Sequence, residues 1–271
     1  MFVPDAATGS LLVHVSDVHA TSGPPLYGLV DGLDRLTQVA RSINAIGAQP
    51  DAVVITGDLV QRGDPGTYAE LGDALTRLEE ACGAPVLVVP GNHDHLFEFT
   101  RLVQSRGVTR RVVLLERIRV VLLDSSSATL GSEQLCWLGD VLASHYRDGT
   151  VIALHHPPVA SPLPALAGIG LQDAAALEAT IAASDVRFIM AGHYHHPLGG
   201  TLGGVPIWVG PALSYQQDPT AGADALRGLD LPSYSLVQLH SSGYTVVPVP
   251  LQAPPPLFTS PVRTITAVTT P

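Results

Sequence analysis

Histidine, aspartate and asparagine gather in five short blocks: Asp17-Val18-His19, Gly57-Asp58, Gly91-Asn92-His93-Asp94, His155-His156-Pro157 and Gly192-His193-Tyr194-His195. Asp17 and His19 stand two apart, so in an extended chain both project to one side, and His193 and His195 repeat that spacing. Gly57 and Gly91 allow the sharp bends and close backbone approach that a ligand site needs. Carboxylate, amide oxygen and imidazole form a hard-to-borderline donor set without thiolate. Such a set suits manganese, iron, zinc or cobalt and argues against copper(I) or an iron–sulfur cluster. Seven donors exceed one tetrahedral site and match two ions sharing a carboxylate, typically about 3.5–4 Å apart. Two adjacent cations bring the pKa of bound water toward about 7 and hold a phosphoryl oxygen, which is what in-line attack on a phosphate ester requires.

These blocks need a scaffold that brings them to one place. Residues 11–16, Ala52–Thr56, Val86–Val89, 151–154 and 186–190 read as strands, and each block lies at or just past one of their carboxyl ends, where α/β sheets bind ligands. Between them, residues 31–46 read as a helix with Asp31 as its cap and Leu33, Leu36, Val39, Ile43 and Ile46 on one face. Further helices are expected over 68–81, ending before Gly83 and Pro85, and over 97–105, 132–144 and 173–183. Residues 112–115 and 118–123 read as a hairpin around Glu116 and Arg117. The segments 201–202, Val205–Val209, 234–239 and 245–249 are expected to close the chain as a mostly antiparallel run. Continuous apolar strands imply burial on both faces, so helices should cover the sheets. The apolar, proline-stiffened loop 157–171 reads either as a substrate wall or as a packed connection.

The chain has 271 residues, 46% apolar and 14% charged, which is one large α/β domain or two small ones and too apolar for disorder. No linker or repeat divides it; residues 1–250 are expected to form the catalytic domain and 251–271 a terminal strand or tail. The formal net charge is −10, and all 14 basic residues are arginine. That balance disfavours long nucleic acids, which are held through phosphate neutralisation. The absence of lysine removes P-loop, Schiff-base and kinase-type chemistry. Two cysteines, Cys82 and Cys136, make no disulfide framework and suggest a reducing compartment. With no signal-like start and no apolar run of membrane-spanning length, the expected location is the cytoplasm.

Taken in this order, the five blocks resemble the calcineurin-like metallophosphoesterases, from Leu11 to Val209. Leu26-Tyr27-Gly28, Ala153-Leu154-His155-His156-Pro157-Pro158 and Tyr215-Gln216-Gln217-Asp218 further resemble the class III cyclic-nucleotide phosphodiesterases. The resemblance implies a four-layer α/β/β/α sandwich of two mixed sheets. It implies one metal on Asp17, His19 and His195, a second on Asn92, His155 and His193, and Asp58 as the bridge. Iron with manganese is the implied pair, with zinc, cobalt or two manganese ions as alternatives. His93 is implied to donate a proton to the leaving oxygen and Asp94 to support that region. The implied reaction is hydrolysis of a 3′,5′-cyclic nucleotide, cyclic AMP foremost, by a hydroxide bridging the metals. Glycerophosphodiesters, 2′,3′-cyclic nucleotides and other small esters are the alternative, and a non-catalytic binding scaffold is disfavoured because no donor is missing. Apolar surface segments are compatible with a homodimer.

The remaining residues have plainer readings. His14 is expected to be a satisfied core histidine, and His156 a packing neighbour of the site that could exchange roles with His155. His95 and His196 are expected in solvent, His145 and His240 on the surface, and Trp137 in the core or an interface. Cys82 and Cys136 read as small buried apolar residues. Tyr27 and Tyr215 either border a nucleobase or pack.

Overall fold

Along Gly9–Val15 (β1) successive side chains go to opposite faces, and residues 10–15 are all buried. Leu12 turns toward a core between two sheets, while Leu11, Val13 and Val15 turn toward a core under helices. Such double-sided burial demands layers on both sides. The computed structural model describes residues 9–222 and 225–260. After β1 come α1 (Gly32–Ile46), β2 (Ala52–Thr56), α2 (Thr67–Cys82), β3 (Val86–Val89) and α3 (Leu96–Arg101). Then follow β4 (Arg111–Leu114), β5 (Arg119–Leu122), α4 (Gly131–Leu142), β6 (Thr150–Ala153), α5 (Ala174–Ile181), β7 (Val186–Ala191), β8 (Leu198–Leu202) and β9 (Val205–Val209). The short strands β10 (Gln216–Gln217) and β11 (Gly228–Leu229) precede β12 (Ser233–His240) and β13 (Gly243–Pro250).

One sheet has the order β13-β12-β1-β2-β3 and the other β4-β5-β6-β7-β9-β8, both mixed in direction. Leu12, Val54, Leu87 and Val237 of the first sheet meet Val120, Leu122, Val151, Phe188 and Met190 of the second. On the outer face of the first sheet, Val13, Val53 and Val88 pack with Leu36, Val39 and Ile43 of α1 and Leu71, Leu75 and Leu78 of α2. The second sheet buries Val121, Ile152 and Ile189 against Leu138 and Leu142 of α4 and Leu177 and Ile181 of α5. This is the expected four-layer α/β/β/α sandwich. Among the described residues no helix is long and apolar enough to cross a membrane.

Local chemistry explains the element ends. The Asp31 side chain accepts a hydrogen bond from the Asp34 N–H, as its cap reading required. Gly47 and Gly83 stop α1 and α2 in the left-handed conformation. Three expectations need correction. The helix over 97–105 breaks at Leu102, whose extended backbone turns its buried side chain into the core beneath α2 before a short 3₁₀ turn. The helix read over 173–183 spans only Ala174–Ile181, and the Asp173 carboxylate before it accepts from the N–H groups of Leu130 and Gly131 and caps α4. The terminal run is mostly antiparallel, as expected: β8 pairs so with β9, and β12 with both β13 and β1, while β9 lies parallel to β7. Cys136 is exposed rather than buried, and Cys82 is half-buried.

The loop 157–171 packs chiefly as a connection, with Leu166 and Leu171 in the second helical core and the Tyr194 hydroxyl bonded to the Val159 carbonyl at 2.8 Å. Trp137 packs against the same core and carries the Arg110 guanidinium 5.4 Å from its ring centroid. Residues 251–260 form neither helix nor strand, and the remainder of the tail named above lies outside the described residues.

Away from the strand ends that carry the blocks, Arg119 is buried with Asp185 at 2.9 Å. The guanidinium also donates to Thr150 Oγ1 and the Val141 carbonyl, while Asp185 accepts from the Tyr146 N–H. Removing one partner strands a buried charge, which costs about 3–5 kcal/mol. Denaturant unfolding of Asp185→Ala is therefore expected to show a loss of about 3–5 kcal/mol, with metal content per folded chain unchanged.

Candidate metal centre

Each block lies where its strand ended in the sequence reading. β1, β2 and β3 of the first sheet deliver Asp17, His19, Asp58 and Asn92, and β6 and β7 of the second deliver His155, His193 and His195. The turns that follow are stitched together, with the His19 N–H donating to the Asp58 carbonyl at 2.9 Å and the Asp17 N–H to the Gly57 carbonyl at 3.2 Å. Five of these residues hold positive φ: Asp17 at 53°, His19 at 47°, Asp58 at 49°, His193 at 71° and His195 at 52°. Side chains bulkier than glycine are strained in that region, and such strain collects at functional sites.

Two groups of donor atoms result, each spanning no more than 4.8 Å: Asp17, His19, Asp58 and His195, and His155, His156 and His193. The Asn92 amide oxygen joins the second, 3.1 Å from His155 Nε2. One Asp58 oxygen faces both groups, 3.6 Å from His19 Nε2 and 3.4 Å from His155 Nε2. His195 Nε2 lies 3.4 Å from an Asp17 oxygen and 3.1 Å from His19 Nε2. His193 Nδ1 lies 3.1 Å from His155 Nε2.

The far nitrogens fix the orientation of the rings. His19 Nδ1 meets Gln61 Oε1 at 2.7 Å, His155 Nδ1 meets the Thr56 carbonyl at 2.8 Å, and His195 Nδ1 meets the Tyr215 carbonyl at 2.9 Å. Each Nδ1 donates to an oxygen, so each Nε2 turns a lone pair inward. Burial, strengthened by neighbouring imidazoles, holds His193 down to about 2 and His19 to about 4. Burial also holds His195 to about 4. His155 differs: burial opposes its charge, but the adjacent Asp58 carboxylate outweighs that and lifts it to about 9. A cation would take the place of that proton. Neutral imidazoles with lone pairs converging beside two buried carboxylates fit a pair of metal ions.

Other expected residues sort as follows. His93 is half-buried beside the centre, its ring centroid 4.7 Å from that of His19 and its N–H on Asp58 Oδ1 at 2.8 Å. The Asp94 carboxylate accepts from the N–H groups of Leu59, Val60 and Gly91 and from the Tyr68 hydroxyl, so it clasps two loops. Burial and the nearby Asp58 raise it to about 7. His156 is 3% exposed and within reach of the second donor group, and among the described residues its Nδ1 has no partner. His196 is not in solvent: it is 8% exposed and meets Ser161 Oγ at 3.0 Å. His95 and His145 are exposed and His240 half-exposed. His14 is buried with Nε2 on Thr56 Oγ1 at 2.8 Å, while Nδ1 is unpartnered among the described residues. Gln61, Ser125 and the carbonyls of Thr56 and Tyr215 were missed. Ser125 Oγ accepts from both the His155 and His156 N–H groups. A Cβ on Gly192 would press into Ser16 Oγ and lie 2.9 Å from both Asp17 Oδ2 and the Thr56 carbonyl. Only Gly57, Asp58 and their like had a motif to announce them; a backbone carbonyl has none.

The model for the calcineurin-like phosphoesterase family matches residues 11–197. A cAMP/cGMP dual specificity phosphodiesterase of Mycobacterium tuberculosis is 37% identical over 230 residues, covering 81% of this chain and 72% of its own. A protein of Rhodococcus erythropolis named as a probable cyclic nucleotide phosphodiesterase is 36% identical, covering 89% and 84%. Among solved structures, a dimetal phosphatase of Danio rerio superposes with a TM-score of 0.61 over 88% of this chain and 98% of its own, at 15% identity.

Since Gly192 leaves no room beside Asp17, Gly192→Ala is expected to weaken metal binding about 10–100-fold. Gly199→Ala, with nothing within 4 Å of the added carbon, is the control expected to leave it unchanged. Competition against a chelator measures both.

Proposed function

We propose that this chain, which belongs to the calcineurin-like phosphoesterase family, is a two-metal phosphodiesterase that opens 3′,5′-cyclic nucleotides to nucleoside monophosphates, cyclic AMP foremost. The observation that carries the reading is the Asp58 oxygen facing both donor groups at 3.6 and 3.4 Å, the arrangement a bridging ligand requires. The named activities of relatives covering four-fifths or more of the chain support the substrate class. Asp17, His19 and His195 would hold one ion, Asn92, His155 and His193 the other, with Asp58 shared. Iron with manganese suits a set of imidazole, carboxylate and amide without thiolate. Free Cys82 and Cys136 support a cytoplasmic setting. We assign catalysis to residues 1–250.

Bound ions would supply an activated water and neutralise phosphoryl charge. The protein's own groups then divide the remaining work. His93, Asp94, His95 and Asn92, with Arg62 and Gly63, line an open cavity of about 340 Å³. The Arg62 N–H donates to His93 Nδ1 at 3.4 Å. His93 therefore carries its proton on Nε2, where it can protonate the departing 3′ oxygen. Asp94 keeps the loops of Asp58 and Asn92 in register.

The test is a kcat/KM panel on metal-quantified protein across cyclic AMP, cyclic GMP, 2′,3′-cyclic nucleotides, glycerophosphodiesters and phosphomonoesters. The 3′,5′-cyclic nucleotides are expected to lead, and cyclic AMP among the slowest would reject the reading. For the acid, His93→Ala is expected to lower kcat/KM on cyclic AMP about 10²–10⁴-fold. An ester with a nitrophenolate leaving group needs no proton and should fall about tenfold or less. Equal losses on both would remove His93 from that role.

A further inference from the structure

Tyr27 occupies a conformation that its side chain resists. The segment from Leu26 to Leu29 is closed by the Leu29 N–H on the Leu26 carbonyl at 3.2 Å, with φ at 54° for Tyr27 and 74° for Gly28. Two successive positive φ values are the pattern of a type I′ turn, which favours Asn, Asp or Gly at its first central position and disfavours a bulky aromatic. Below it, Leu26 and Val30 bond to each other through both backbone groups at 2.9 Å, and Val30 is buried. The turn is thus rigidly seated, yet Tyr27 itself is 71% exposed. Burial does not offset its strain, so folding alone gives no reason for tyrosine here.

Position supplies one. The Tyr27 ring meets Tyr215 edge-to-face, with centroids 5.5 Å apart and planes at 77°. Tyr215 lies 4.3 Å from the ring of His195 and 6.3 Å from that of His19. A row of aromatic faces therefore runs from the first donor group out to solvent. The backbone around Tyr215 is fixed: buried Arg35 of α1 donates to the Leu213 and Ser214 carbonyls, and the Ser214 N–H donates to the Asp17 carbonyl. We infer that Tyr27 and Tyr215 form a stacking platform for the nucleobase of a substrate whose phosphate sits at the metal centre. The inference rests on the phosphodiesterase reading above and names the part of the site that separates nucleotides from base-free diesters. Since every base has a π-face, stacking accepts adenine and guanine alike.

The test uses metal-loaded full chain, with cyclic AMP and base-free ribose 3′,5′-cyclic phosphate as substrates and Tyr27→Asn and Tyr27→Phe as variants. Wild type is expected to prefer cyclic AMP in kcat/KM by about tenfold or more, and Tyr27→Asn to raise the cyclic AMP KM by a similar factor. The base-free substrate should be unaffected, and Tyr27→Phe should resemble wild type. Calorimetric affinity for AMP should fall in Tyr27→Asn by the same factor, while its unfolding temperature holds or rises because asparagine suits the turn. Equal losses on both substrates, unchanged cyclic AMP kinetics, or a lowered unfolding temperature accompanying the activity loss would overturn the platform. Wild type that turns over both cyclic phosphates equally well defeats the platform alone. Wild type that turns over neither defeats the functional reading and the platform with it.

Discussion

The constraint on which everything else depends is electrostatic crowding. Two buried carboxylates and several imidazoles, all but His155 held neutral by burial, face one another across gaps of 3.1 to 3.6 Å. Water is largely excluded, since Asp17 and His155 have no exposure and His19 and Asp58 only 2%. Such an assembly repels itself unless positive charge enters it. Much of the sandwich can be understood as the frame that holds the crowd together until cations arrive. The Nδ1 bonds of three histidines, the clasp of Asp94 and the left-handed turns all act against relaxation of the donors away from the centre.

Parallel strands are well suited to that task. Their carboxyl ends open on one edge, and β1, β2, β6 and β7 each have strand neighbours on both sides, with only β3 at a sheet edge. The donors begin within a few residues of those ends, so the rigidity of the sheets passes directly to the site. Neither sheet alone has the full set. The first provides both carboxylates, His19 and the amide; the second provides the other three imidazoles. Packing of Leu12, Val54 and Leu87 against Val151, Phe188 and Met190 therefore sets the distance between the two halves of the centre.

The layout was largely legible because the signals were local and strong. Ala52–Thr56, Val86–Val89 and Val205–Val209 were read to the residue, and Asp31 capped the helix it was assigned to. The five blocks were visible as residue types at strand ends, and the structure brings them to one place. What stayed hidden depended on tertiary contact. Asp173 precedes a helix, so local rules make it that helix's cap, yet its carboxylate reaches α4. Histidine after a motif looks solvent-bound until Ser161 is found beside it, as for His196. Gln61 and the Tyr215 carbonyl orient the imidazoles from loops whose partners lie 42 and 20 residues away, and no periodicity encodes such a meeting.

The pairing of β12 with β1, Gly9 opposite His240, has a temporal consequence. Strand β1 carries Asp17 and His19 at its end, yet one of its two flanks stays open until nearly the whole chain has left the ribosome. The nascent amino-terminal half can form its parallel core but has an unpaired edge and lacks every imidazole of the second sheet. Long-range closure of this kind is slow relative to local helix formation. The antiparallel return of β12 thus closes the flank of the strand that leads into Asp17 and His19.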